Sequence, residues 1–137
     1  MWMPRVTIPL KRNVLRFEND KQRGPYRWSG SDVFWWMLDH GMDDIHPNPS
    51  EEGLKNYYKH ACQCGFTDLA QLQHWFTPME RRDMLAEGFA VNLLQIDPDE
   101  AFFQAGARQC VFKRSVAKLI RPMTEREIFN DVQTSIA

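Results

Sequence analysis

TPMERRDMLAEGFAVNLLQI, Thr77 to Ile96, changes its hydrophobic period partway along, and that change sets the fold class. Thr77 stands as an N-cap, Pro78 takes the first helical position where its missing N–H is no loss, and Glu80 stands third to complete a capping box. Gly88 ends the helix. From there FAVNLLQI, Phe89 to Ile96, is a continuous apolar run of strand length. A short helix therefore feeds directly into a strand.

Working outward, CGFTDLAQLQHWF (Cys64–Phe76) reads as a preceding helix with Thr67 as N-cap and with Leu69, Leu72 and Phe76 on one buried face. The two helices form a hairpin. RQCVFKR (Arg108–Arg114) and SVAKLIRP (Ser115–Pro122) read as further strands at hairpin spacing, with DPDE (Asp97–Glu100) and AGAR (Ala105–Arg108) as turns. Thr124 and Glu127 in TEREIFNDVQTSI make a second capping box and a short C-terminal helix.

Toward the N-terminus, Val14–Glu18 alternates apolar and polar residues as a half-buried strand does. Ser31 caps a helix in SDVFWWMLDHG (Ser31–Gly41), HPNPSEEG (His46–Gly53) is a surface loop, and Gly53–His60 is helical. The expectation is one α+β domain over residues 1–137: an N-terminal strand and short helices, then an antiparallel sheet and a short C-terminal helix. Residues 1–12 form a loosely attached segment.

The chain's 137 residues are 43% hydrophobic and 12% aromatic with a net charge of −1, a folded composition. Its pI of about 6.4 argues against a surface devoted to nucleic acid. Three cysteines cannot all pair, and MWMPRVTIPLKRN lacks the apolar core of a signal peptide, so a reduced, cytoplasmic setting is expected. No window reaches the length of a membrane span.

Among candidate sites, His60, Cys62, Cys64 and His74 have the wrong gaps for zinc, because a one-residue spacing points two thiolates poorly at one ion. No metal is expected. Cys110 lies in an apolar strand where burial raises a thiol pKa, which suits core filling rather than nucleophilic attack. Ser29 and Ser31 lack the strained turn of a nucleophile elbow, DDIHPNPSEE lacks the alternating donors of a calcium loop, and His46 before Pro47 is a loop anchor or a functional group.

NVLRFENDKQRGPYRW, Asn13 to Trp28, is richer. Arg16 points away from Leu15 and Phe17, to solvent or into a cleft, and Lys21, Arg23, Arg27, Tyr26 and Trp28 follow after Gly24. Such a group suits a phosphate clamp with a stacked ring. Equally, Arg16 pairs with a carboxylate and the rings pack.

RFEN with GPYR, HPNP, CGFTDLAQLQHWF with LAEGFAV, and GARQCVFKRSVA together resemble a family of short proteins encoded by phages and prophages, over Asn13 to Leu119. More distantly, the order of elements resembles the ADP-ribosyltransferase fold. That second resemblance implies NAD held by Arg16, Tyr26, Arg27 and Gln109, with Gln109 standing where the fold's enzymes carry a late-strand glutamate. Glutamine carries no charge to stabilise an oxocarbenium-like transition state, a loss of about 2.7–4 kcal/mol.

Two readings follow, with no catalytic residue assigned in either. The first is a phage-type accessory protein without cofactor that binds a host protein or complex, inhibiting a defence system such as CRISPR, with Trp28, Trp35, Trp36 and also Trp2 as anchors. The alternative is an NAD- or nucleotide-binding protein of the ADP-ribosyltransferase type. Nucleic-acid binding through Lys11, Arg12, Lys113, Arg114, Lys118 and Arg121 is weaker, since basic residues on one face of a strand are ordinarily solvated.

Overall fold

Continuous apolar strands need cover on both sides, and in the computed structural model, which describes residues 10–26, 47–54 and 62–131, each of them takes the centre of a sheet. The run after Gly88 becomes β3 (Ala90–Ile96). It pairs antiparallel on one side with β1 (Arg12–Glu18), Arg12 opposite Ile96 and Glu18 opposite Ala90. On the other side it pairs with β6 (Lys118–Pro122), where Leu94 faces Leu119 and Leu93 faces Arg121, leaving Ile120 as an unmatched bulge residue. The second buried run, β5 (Cys110–Phe112), lies between β2 (Gln63–Gly65) and β4 (Ala101–Phe102).

Sequence spacing predicted consecutive hairpins in a single sheet, and the pairing corrects this. β3 and β5 belong to different three-stranded sheets, and neither β2 nor the two-residue β4 was foreseen. The α+β class holds. Reciprocal backbone bonds of 2.8 Å between Leu15 and Phe66 tie the sheets together.

The strand pleat divides the interior. Val14, Leu94 and Ile96 pack with Ala101, Cys110 and Phe112 in one cluster drawn from both sheets. Leu15, Phe17 and Val91 point the other way, into a larger cluster with Tyr26, Phe66, Leu72, Trp75, Phe76, Met84 and Ile128. There the Phe17 and Phe76 rings meet edge to face at 5.3 Å, a favoured geometry for their quadrupoles.

Helices α1 (Leu69–Trp75), α2 (Pro78–Ala86) and α3 (Glu125–Phe129) cover this larger cluster. α1 is capped by Asp68, not Thr67: the Asp68 carboxylate accepts from Gln71 N at 2.9 Å, while Thr67 N donates back to Gln71 Oε1 at 2.8 Å. Both capping boxes form as expected, Thr77 with Glu80 and Thr124 with Glu127. Thr77→Ala is expected to lower stability by about 1 kcal/mol, read as a lower urea midpoint at unchanged slope. A changed slope, or no shift at all, counts against the cap.

Part of the expected 46–53 loop is ordered as a 3-10 turn, Pro49–Glu52, capped by Asn48 and closed by Gly53 at φ +87°. Gly53 therefore ends a turn rather than starting a helix. The Ser31–Gly41 helix, the 55–60 part of the Gly53–His60 helix and everything after residue 131 lie outside the described residues. No helix among the described residues is long and apolar enough to cross a membrane.

Candidate functional site

Of the two readings of Arg16, a group at solvent or in a cleft and a partner of a carboxylate, the fold takes the second: Arg16 is enclosed at 0% exposure beside Glu18. β1 is buried from Val14 to Glu18 because it joins both sheets, so the polar positions of the alternation have no water to face. The Arg16 guanidinium donates to the backbone oxygens of Cys64 and Gln22. It also lies 3.3 Å from the Glu18 carboxylate and 4.8 Å from the centre of the Tyr26 ring. Tyr26 is equally enclosed, its hydroxyl accepting from Phe17 N at 2.9 Å.

Gln109 turns elsewhere. Its side-chain amide donates to Pro47 O at 2.8 Å and to Glu52 Oε1 at 3.0 Å, which fastens the 47–52 segment to the start of β5. The structure thus brings Arg16 and Tyr26 together and gives Gln109 different partners. Arg27, Trp28, Trp35, Trp36, Trp2 and His46 lie outside the described residues.

A buried ion cluster surrounds Glu18, which the sequence did not single out. Arg114 donates to it through two nitrogens, Nε to Oε1 and Nη2 to Oε2, each at 2.8 Å, and Asn92 donates to Oε2 at 2.8 Å. Burial by itself would raise the Glu18 pKa, but the bonds from Arg114 and Asn92 and the charges of Arg114 and Arg16 hold it below the usual carboxylate range. The one available signal was a glutamate at the end of an otherwise buried strand.

Of the basic set considered for nucleic acid, several members are already engaged. Arg114 is buried on Glu18, Arg12 stacks on Phe103 at 3.9 Å and Lys11 pairs with Asp97. Arg121 pairs with Glu127 at 2.8 Å. Burial pushes the Cys62 thiol up to about 11 and raises that of Cys110 well beyond the ordinary thiol range. Both therefore stay protonated near neutrality. Among the described residues no three His, Cys, Asp or Glu side chains gather as a metal site, and His74 is exposed on α1.

A groove of about 430 Å³ runs past Gln71, His74, Trp75, Ala107, Arg108 and Asp131. Gln71 is already bonded to Thr67 N and Ala107 O, and Asp131 to Arg81, so these polar groups serve the fold. The more distinctive surface is β6. All its residues are exposed, Leu119 and Ile120 at 49% and 42%, and Val116 in the turn before it stands 51% open to solvent. Their exposure was not legible, because a strand rich in leucine and isoleucine reads as core.

A family model described as Bacteriophage T4 Y00F protein matches residues 10–126, and the chain belongs to that family. No curated protein and no solved structure matches it.

Proposed function

From this membership we propose that the chain is a phage accessory protein that acts in the host cytoplasm by binding a host protein, inhibition of a defence system such as CRISPR being the kind of role it fits. The observation that carries the reading is the exposure of Leu119 and Ile120 on the sheet edge β6, with Val116 exposed in the turn before it. Exposed apolar side chains gathered on one part of a surface favour protein partners. Trp28, Trp35 and Trp36 belong to the same proposal as aromatic anchors. NAD held by Arg16, Tyr26, Arg27 and Gln109 draws less support, because Arg16, Tyr26 and Gln109 are closed to solvent and bonded within the chain.

The test is capture from host lysate on immobilised parent and Leu119→Asp/Ile120→Asp protein. The parent should retain a stoichiometric partner and the variant should lose it. Both positions are exposed, so the stability change should stay within roughly 0.5 kcal/mol per site. A folded variant that keeps the partner removes the β6 surface from the reading, and folded Trp28→Ala and Trp36→Ala proteins that bind as the parent does remove the tryptophans. NAD should leave the melting temperature unchanged; stabilisation of about 2.7 kcal/mol at a hundredfold excess over Kd would favour the nucleotide alternative.

A further inference from the structure

Helix α2 carries an exposed apolar side chain and one wall of an apolar hollow. Met79 stands 68% open to solvent. Arg82 and Ala86 follow it at helical spacing, so the three share one exposed face of the helix. Beside that face a groove of about 510 Å³ opens between α2 and α3, lined by Arg82, Leu85, Ala86, Glu125 and Phe129. Its floor is firm, because Leu85 and Phe129 pack against the larger core cluster.

Unlike charges stand on the two walls. Arg82 is exposed on α2, and Glu125 is exposed on α3, on the same face of that helix as Phe129 four residues later. Neither side chain has a hydrogen-bond or ion-pair partner among the described residues, whereas nearby Arg81 and Arg121 are paired with Asp131 and Glu127. A surface with a knob, a hollow and one charge of each sign can complement a copy of itself. Across a two-fold axis every contact occurs twice with the roles exchanged.

We propose that the chain forms a two-fold homodimer through α2 and α3, with Met79 of each copy seated in the other's groove and Arg82 of each facing Glu125 of the other. Methionine suits this role, since its flexible thioether chain adapts to an irregular hollow. A partner segment of uniform charge would match one wall and oppose the other; a second copy matches both. The contact uses no residue of β6 and does not rest on the host-protein reading.

Sedimentation velocity of the full chain across a concentration series tests this. The 16.2 kDa chain should pass to twice its mass as concentration rises. Arg82→Glu and Glu125→Arg should each raise the dimer dissociation constant at least about tenfold, because each sets like charges against one another at both symmetric contacts. Mixed in equal amounts, the two variants should recover the dimer, since one chain then offers two acids to two arginines on the other. Met79→Asp should stay monomeric with the circular dichroism of the parent. A parent that is monomeric at every concentration, single variants that associate as the parent does, or a mixture that stays monomeric overturns the proposal. So does a dimer kept by Met79→Asp and lost on Leu119→Asp/Ile120→Asp, which moves the contact to β6.

Discussion

Glu18→Gln is expected to lower the unfolding free energy by about 3–5 kcal/mol, because it leaves two buried guanidinium groups without their counter-charge. Arg16 is 0% and Arg114 7% exposed, so neither can recover hydration without opening the sheets. For a chain of this size the loss corresponds to a fall in Tm of roughly 10–20 °C. Arg114→Met should cost less, about 2 kcal/mol, since Arg16 and Asn92 still serve the Glu18 carboxylate. Equal costs for the two substitutions would count against this account of the cluster.

The same carboxylate gives a pH dependence. Its folded pKa lies below the ordinary 4.5, so its contribution is complete above that pH and is lost as pH falls through the folded value. Asp131, held low by Arg81, and Glu127, held at about 2 by Arg121, act in the same direction at lower pH. Parent protein should lose stability below pH 4.5, and Glu18→Gln should show a shallower slope there. Parallel curves from urea melts across that range would mean that Glu18 titrates alike in the folded and unfolded chain.

Arg81→Met is the second large effect, expected at about 2–4 kcal/mol, and its damage should be local. Arg81 is fully buried and donates to Phe76 O at 2.8 Å, Ile128 O at 2.7 Å and Asp131 at 2.8 and 2.9 Å. It thereby answers carbonyls at the ends of α1 and α3 that no helical N–H reaches. Asp131 is half exposed, so the ion pair itself adds little and the carbonyls carry the cost, Phe76 O losing its Arg81 donor and Ile128 O keeping a 3.3 Å bond from Gln73 Nε2. Methionine keeps much of the aliphatic volume and removes the donors. Amide exchange at Ile128 and Asn130 should accelerate more than exchange within β3; uniform acceleration would assign Arg81 to global stability instead.

Local chemistry was legible wherever a rule acts over a few residues. The capping boxes at Thr77 and Thr124, the stop at Gly88 and the strand after it form as the sequence implies. The α1 cap went to Asp68 over Thr67, adjacent residues with similar capping power, with the Asp68 carboxylate accepting from Gln71 N. Spacing alone could not separate those two.

The sequence by itself determined β1, β3, β5, β6, the three helices α1–α3 and the α+β class, since caps, turns and hydrophobic period depend on neighbours in the chain. Only the tertiary structure decided that β3 and β5 lie in separate sheets, that Arg16 and Arg114 are buried about Glu18, and that Leu119 and Ile120 remain exposed on an edge. The physical reason is that burial belongs to assembled layers. Whether a leucine is core or an arginine is solvated depends on which distant strand covers it, and a residue's own neighbours carry no record of that choice.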